Sequence, residues 1–220
     1  MSRWFKLILL CAFVTISVTP ASVQAAQASE SMSARVGKQC VSPKQVKLKE
    51  DFRKLWTDHV LWTRSYIVSA LAGLEDKDKT LERLLKNQQD IGDAIKPFYG
   101  EAAGNKLTKL LKEHILLAGK VLEAAKAGNG ADLEKYNKEW HRNADDIAKF
   151  LSSLNPNWSE KELKEMLYTH LQYITEEVVA RLGKKWDTDI ALFDKNLQHM
   201  LMLADILSGG IIKQFPEQFK

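Results

Sequence analysis

Apolar residues recur at intervals of three and four along most of this chain, the spacing that places them on one face of an α-helix. In the first such stretch, Phe52, Leu55, Trp56 and Tyr66 follow this spacing. No stretch alternates apolar and polar residues as a half-buried strand does. The pattern therefore predicts an all-α chain. Its six expected helices are at 43 to about 74, about 78–96, about 101–127, about 132–153, about 160–183 and about 187–209.

A histidine ends the same short motif in three of these helices. In each copy apolar residues stand three and four positions before the histidine, and the copies end at His59, His114 and His170, about 56 residues apart. Each repeat unit can bury its apolar face only against its neighbours. The sequence therefore predicts a six-helix bundle built from three repeated antiparallel helical hairpins. A second motif follows each histidine by 28, 29 and 26 residues, at Asn87, Asn143 and Asn196.

The second motif carries another polar residue three positions after its asparagine, namely Asp90, Asp146 and His199. Counted from the predicted turns at about 1.5 Å per residue, each of these lies level with the histidine of its own hairpin. The three motif histidines project from the core-facing stripe, because apolar residues precede them by one helical turn. We therefore expect a polar cluster inside the bundle.

Two interpretations of this cluster remain open. In the first, the side chains bind a divalent transition metal, since imidazole suits zinc, copper, iron and nickel. In the second, each histidine donates a hydrogen bond to the aspartate or asparagine of its own hairpin, and the pair only fixes the packing. The candidate metal ligands are His59, His114, His170 and His199, with Asp90 and Asp146 as ligands or as partners that orient the rings.

The N-terminus has the features of an export signal. Two basic residues precede an apolar run, and a small-residue cleavage site lies near Ala25. Residues 26–41 are rich in alanine and serine, and predict a disordered leader. The helical bundle domain is expected over 42–215, with a tail at 216–220.

Charge and cysteine usage narrow the class of protein. Loss of the signal would change the formal net charge from +4 to +2, because the signal contains Arg3, Lys6 and no acidic residue. This near balance argues against nucleic-acid binding, which needs a concentrated basic face. No later apolar stretch has the length of a transmembrane helix. Cys40 would be the one cysteine left, so no internal disulfide is expected, and a homo-oligomer or an unidentified protein partner remains open.

Motifs for catalysis are missing from the sequence. It contains no glycine-rich phosphate loop, no nucleophile elbow and no zinc-peptidase motif. Asp187 and Asp189 match a metal-nucleotide motif in outline, but at a helix start they are ordinary first-turn residues. Storage, sensing or scavenging of a metal is therefore favoured over catalysis. The alternative is a non-catalytic cell-envelope interaction protein whose polar core is purely structural.

Four segments carry a resemblance to a known family. They are LWTDHVLWTR at 55–64, NQQDIG at 87–92, LTKLL at 107–111 and GIIKQFP at 210–216. In these segments the chain resembles a family of small exported all-helical proteins from spore-forming Gram-positive bacteria. The resemblance implies an extracytoplasmic localisation, and no activity follows from it.

Overall fold

The computed structural model describes residues 41–220. The predicted export signal and Cys40 lie outside the described residues, as does the predicted leader apart from Val41.

Almost all of the described chain is helical, and it contains no β-strand between residues 41 and 220. The prediction of an all-α chain is therefore confirmed. None of the helices in this range has the length and apolar character needed to cross a membrane. The helices are α1 (Pro43–Ala72), α2 (Lys77–Ala127), α3 (Gly130–Leu154), α4 (Glu160–Leu182) and α5 (Trp186–Gln214), followed by a 3₁₀ turn at Pro216–Phe219.

Residues 41–220 form five α-helices where six are predicted, because the expected second and third helices run together as α2. Gly100 interrupts α2 with φ 84° and ψ 168°, which are not helical values. Glycine adopts this conformation because it has no Cβ to clash with the backbone. Pro97 lies one turn earlier and lacks the N–H that a helix interior needs. The two parts of α2 thus meet at a kink, close to the break that the sequence predicts.

Helix ends follow the local chemistry of the sequence. The Ser42 side chain accepts a hydrogen bond from the Gln45 backbone N–H at the start of α1. Ser159 accepts one in the same way from Glu162 at the start of α4. Each hydroxyl satisfies a backbone donor that has no partner within the helix.

The predicted end of the last helix at about 209 is wrong, since α5 continues to Gln214. Gly210 lies inside this helix, and a Cβ there would approach Trp158 Nε1 to 2.0 Å. The glycine therefore permits close packing and does not end the helix. The expected tail is also packed, because Phe219 is buried against Phe98 with ring centroids 5.8 Å apart.

The helices pack in chain order, and α1 also packs against α5, so the first and last helices lie side by side. Their apolar faces form one core, which includes the fully buried Trp140, Leu171, Met200 and Ile211. The connections contain only a few residues, so consecutive helices are antiparallel. All five helices therefore contribute side chains to the same core.

Candidate functional site

Three histidines from three helices meet in the core. His59 of α1, His114 of α2 and His170 of α4 are each less than 5% exposed. The ring centroids of His59 and His170 are 5.6 Å apart, and those of His114 and His170 are 6.2 Å apart. The expectation that these histidines project into the bundle interior is confirmed.

Both ring nitrogens of His114 have hydrogen-bond partners. Its Nε2 accepts a hydrogen bond from Trp140 Nε1 at 3.1 Å. An indole nitrogen can only donate, so the proton of a neutral His114 ring is on Nδ1. That Nδ1 donates to Asn143 Oδ1 at 2.8 Å. His114 therefore has no free lone pair for a metal ion.

The other two histidines are each held by an amide of the following helix. His170 Nδ1 donates to Asn196 Oδ1 at 2.8 Å. His59 Nδ1 lies 3.2 Å from Gln88 Nε2, which donates to it. The partner of both His114 and His170 is an asparagine of the following helix. Asparagine is one of the two partners that the structural interpretation allows. Within residues 41–220, the Nε2 atoms of His59 and His170 have no hydrogen-bond partner.

A backbone contact repeats at each histidine. In all three cases, the backbone carbonyl of the residue four positions before the histidine accepts a hydrogen bond from a side chain of the following helix. Asn87 Nδ2 donates to the Leu55 carbonyl oxygen at 3.0 Å, and Asn143 Nδ2 donates to the Leu110 carbonyl oxygen at 3.1 Å. In the third case, His199 Nε2 donates to Met166 at 2.7 Å. Asn196 Nδ2 is left buried and without a partner in the described part of the chain.

His199 does not join the other three rings. Its Nε2 donates to the Met166 carbonyl, and its ring meets Tyr173 edge-on with centroids 5.7 Å apart. It is buried at 7% exposure. The sequence places His199 at the level of His170, but the contact of His170 is with Asn196, one turn earlier. His199 thus acts in place of the asparagine amide of the other two hairpins.

The prediction that Asp90 and Asp146 face the histidines is wrong. Asp90 forms an ion pair with Lys86 at the surface, and Asp146 is exposed. The buried residues around them are an asparagine and an isoleucine four positions apart, such as Asn143 and Ile147. Residues three and four apart lie near the same helix face, so the packing of each helix decides that the asparagine and isoleucine turn inward and the aspartate outward.

Burial keeps the three histidines neutral. Loss of solvation lowers the pKa of His114 to about 3 and that of His170 to about 4. The pKa of His59 lies well below its usual value, because of burial first and of the neighbouring histidine rings second. Neutral imidazoles could bind a metal. Between residues 41 and 220, however, no group of three or more His, Cys, Asp or Glu side chains has the geometry to hold one.

A second polar cluster joins α1, α4 and α5. The Arg64 guanidinium of α1 contacts Glu177 of α4 at 2.6 Å, and its two nitrogens pair with the two oxygens of Asp189 in α5. Arg181 also contacts Asp189, at 2.9 Å. Both carboxylates are only 1% exposed. The expectation that Asp189 is an ordinary first-turn residue is therefore incomplete.

The two carboxylates of this cluster differ in their electrostatics. Burial raises the pKa of Glu177, and the single contact with Arg64 offsets this only in part. Burial acts on Asp189 in the same sense, but hydrogen bonds and charge from Arg64 and Arg181 hold its pKa below the usual value. The cluster therefore depends on Arg64, which is the one cation among residues 41–220 that contacts both acids.

Comparisons of the chain with protein-family models, with curated proteins and with solved structures find no match.

Proposed function

We propose that this chain is an exported, non-catalytic helical protein of the cell envelope that acts by binding another protein, and that its histidine core is structural. The observation that carries the proposal is the hydrogen bonding of His114, whose two ring nitrogens are taken by Asn143 and Trp140. A satisfied buried imidazole fixes the packing of its helices. It leaves no lone pair for a metal or a substrate.

We also propose that the fold is a threefold repeat of one hairpin, with the kinked α2 supplying one helix to each of the first two hairpins. The repeated carbonyl contact supports this. The three acceptors, Leu55, Leu110 and Met166, each precede a buried histidine by four residues. Counted as repeat units, the bundle would then have six helical segments, with Gly100 between the second and third.

An exposed apolar surface supports the interaction role. We call it the α4–α5 surface. It consists of Val179 and Leu182 near the end of α4 and of Trp186 and Ile190 near the start of α5. Their exposed fractions are 62%, 42%, 51% and 54%. Neighbouring apolar side chains at the surface are typical of protein interaction sites. The partner would therefore be a protein with an apolar contact surface.

Site-specific cross-linking tests the proposal. A photo-crosslinking amino acid in place of Trp186 should yield a defined covalent adduct with a protein in the envelope of the producing cells. The control position is Lys161 of the same helix pair, whose side chain is 85% exposed and lies outside the α4–α5 surface. Absence of an adduct at both Trp186 and Ile190, in cells that export the protein, would contradict an interaction through this surface.

Metal binding is the second candidate function, and one observation favours it. The adjacent rings of His59 and His170 each have an Nε2 without a hydrogen-bond partner in the described chain. Because His59 Nδ1 accepts a hydrogen bond from Gln88, the neutral His59 ring carries its proton on Nε2. A divalent transition metal at these two atoms would have to displace that proton and would need further ligands from outside the three-histidine cluster. Elemental analysis of the mature protein measures its metal content. Any bound metal should be lost in a His59→Ala variant.

A further inference from the structure

An apolar cavity of about 80 Å³ lies between α1, α2, α3 and α4. It lies near the end of the bundle that contains the first residues of both α2 and α3, away from the kink at Gly100. Each of the four helices contributes to its wall, through Ile67, Ile115, Trp140 and Ile174 among others. Among residues 41–220, no charged side chain lines it. The cavity is separate from the α4–α5 surface apart from Val179 at its edge.

The cavity has a buried floor and an exposed rim. Ile67, Ile115 and Trp140 in the floor are at most 3% exposed. At the rim, Thr175 is exposed and Val179 is 62% exposed, both on α4. The most exposed part of the cavity lining is therefore on α4.

The size and lining of the cavity define the ligand. An engineered apolar cavity of about 150 Å³ stays dry and binds benzene or xenon. The present cavity is about half that volume, and its lining is aliphatic and aromatic apart from Thr63 and Thr175. A charged ligand is excluded, because nothing in the wall would compensate its desolvation. The wall atoms lack dispersion partners on one side, so an apolar occupant gains contacts there.

We propose that this cavity binds small, uncharged apolar molecules, of the size of xenon or of an alkane or alkene smaller than benzene. The inference rests on the cavity and not on the proposed interaction function. Cross-linking at Trp186 and ligand binding in the cavity can therefore succeed or fail separately.

Xenon is the probe that tests the proposal. Methyl NMR spectra of the mature protein under increasing xenon pressure should show saturable shifts centred on Ile115, Ile174 and Val178, which line the cavity. Methyl groups of Leu163 and Leu203, in the other half of the core, should shift much less. Saturable shifts centred elsewhere, or no saturable shift at all, would overturn the proposal.

A cavity-filling variant provides the second arm. Ala118→Leu places extra methyl groups at the cavity wall, and should abolish the xenon response while keeping the helical circular dichroism spectrum. Ala102→Leu is the matched control, because Ala102 is exposed in the same helix, and it should leave the response unchanged. A folded Ala118→Leu variant that still responds as the wild type does would overturn the assignment. If that variant does not fold, the wild-type methyl shifts decide alone.

Discussion

Replacing Arg64 with methionine should lower the free energy of unfolding by about 3–5 kcal/mol, the usual cost of removing one partner from a buried ion pair. Methionine keeps much of the apolar stem of arginine, so the loss reports mainly on charge. Glu177, which is 1% exposed, would lose the one cationic contact that it has within residues 41–220. Asp189 would retain Arg181. Urea denaturation of the two proteins measures the difference.

The matched control is Arg53→Met. Arg53 forms a two-point ion pair with Asp205, but the two side chains are 51% and 41% exposed. Exposed ion pairs contribute about 0–1 kcal/mol, so this change should have little effect. Equal losses in the two variants, or a loss below about 1 kcal/mol for Arg64→Met, would show that the cluster around Arg64 does not hold α1, α4 and α5 together.

Acidification below about pH 6 should destabilise the protein steeply. His59, His114 and His170 have folded pKa values below the ordinary value of 6.5. The unfolded chain therefore binds protons that the folded chain does not, and stability is lost as the pH falls through this range. Each such proton changes the free energy of unfolding by about 1.4 kcal/mol per pH unit. For three histidines, the free energy of unfolding should fall by about 4 kcal/mol per pH unit between about pH 6 and pH 4. Urea denaturation at several pH values measures this slope.

A single substitution checks the origin of this slope. His170→Gln removes one of the three titrating groups, and the slope should fall by about one third. Glu177 and Asp189 add smaller, opposite contributions: the raised pKa of Glu177 favours folding as the pH falls, and the lowered pKa of Asp189 opposes it. A slope that is near zero between pH 6 and pH 5 would contradict neutral, buried histidines.

The convergence of the histidines is predictable because local spacing decides it. Apolar residues three and four positions before His59, His114 and His170 place each ring on the buried side of its own helix. The identity of the partner is harder to predict. Asn143 and Asp146 are within one turn of each other, and only the rotation of α3 about its axis decides that the asparagine faces inward. That rotation is set by packing with other helices.

Contacts between distant segments leave no local pattern. Arg64 is 113 residues from Glu177 and 125 from Asp189, so nothing in the neighbourhood of any of the three indicates the pairing. The helical conformation of Gly210 has a similar cause, since Trp158 from another part of the chain occupies the space of a Cβ. Trp140 is the exception, because it lies three residues before Asn143 on the same face of α3 and could have been predicted as a partner of His114.

The histidine core is proposed to be structural, with both ring nitrogens of His114 taken by protein partners. Nitrogen NMR of the imidazole rings tests it most directly, on the mature protein at neutral pH with and without zinc or copper. We expect His114 to be neutral with its proton on Nδ1, and its ring nitrogen shifts to stay unchanged when the metal is added. A stoichiometric metal-induced shift of the His114 nitrogens, or a proton on Nε2, would contradict this account.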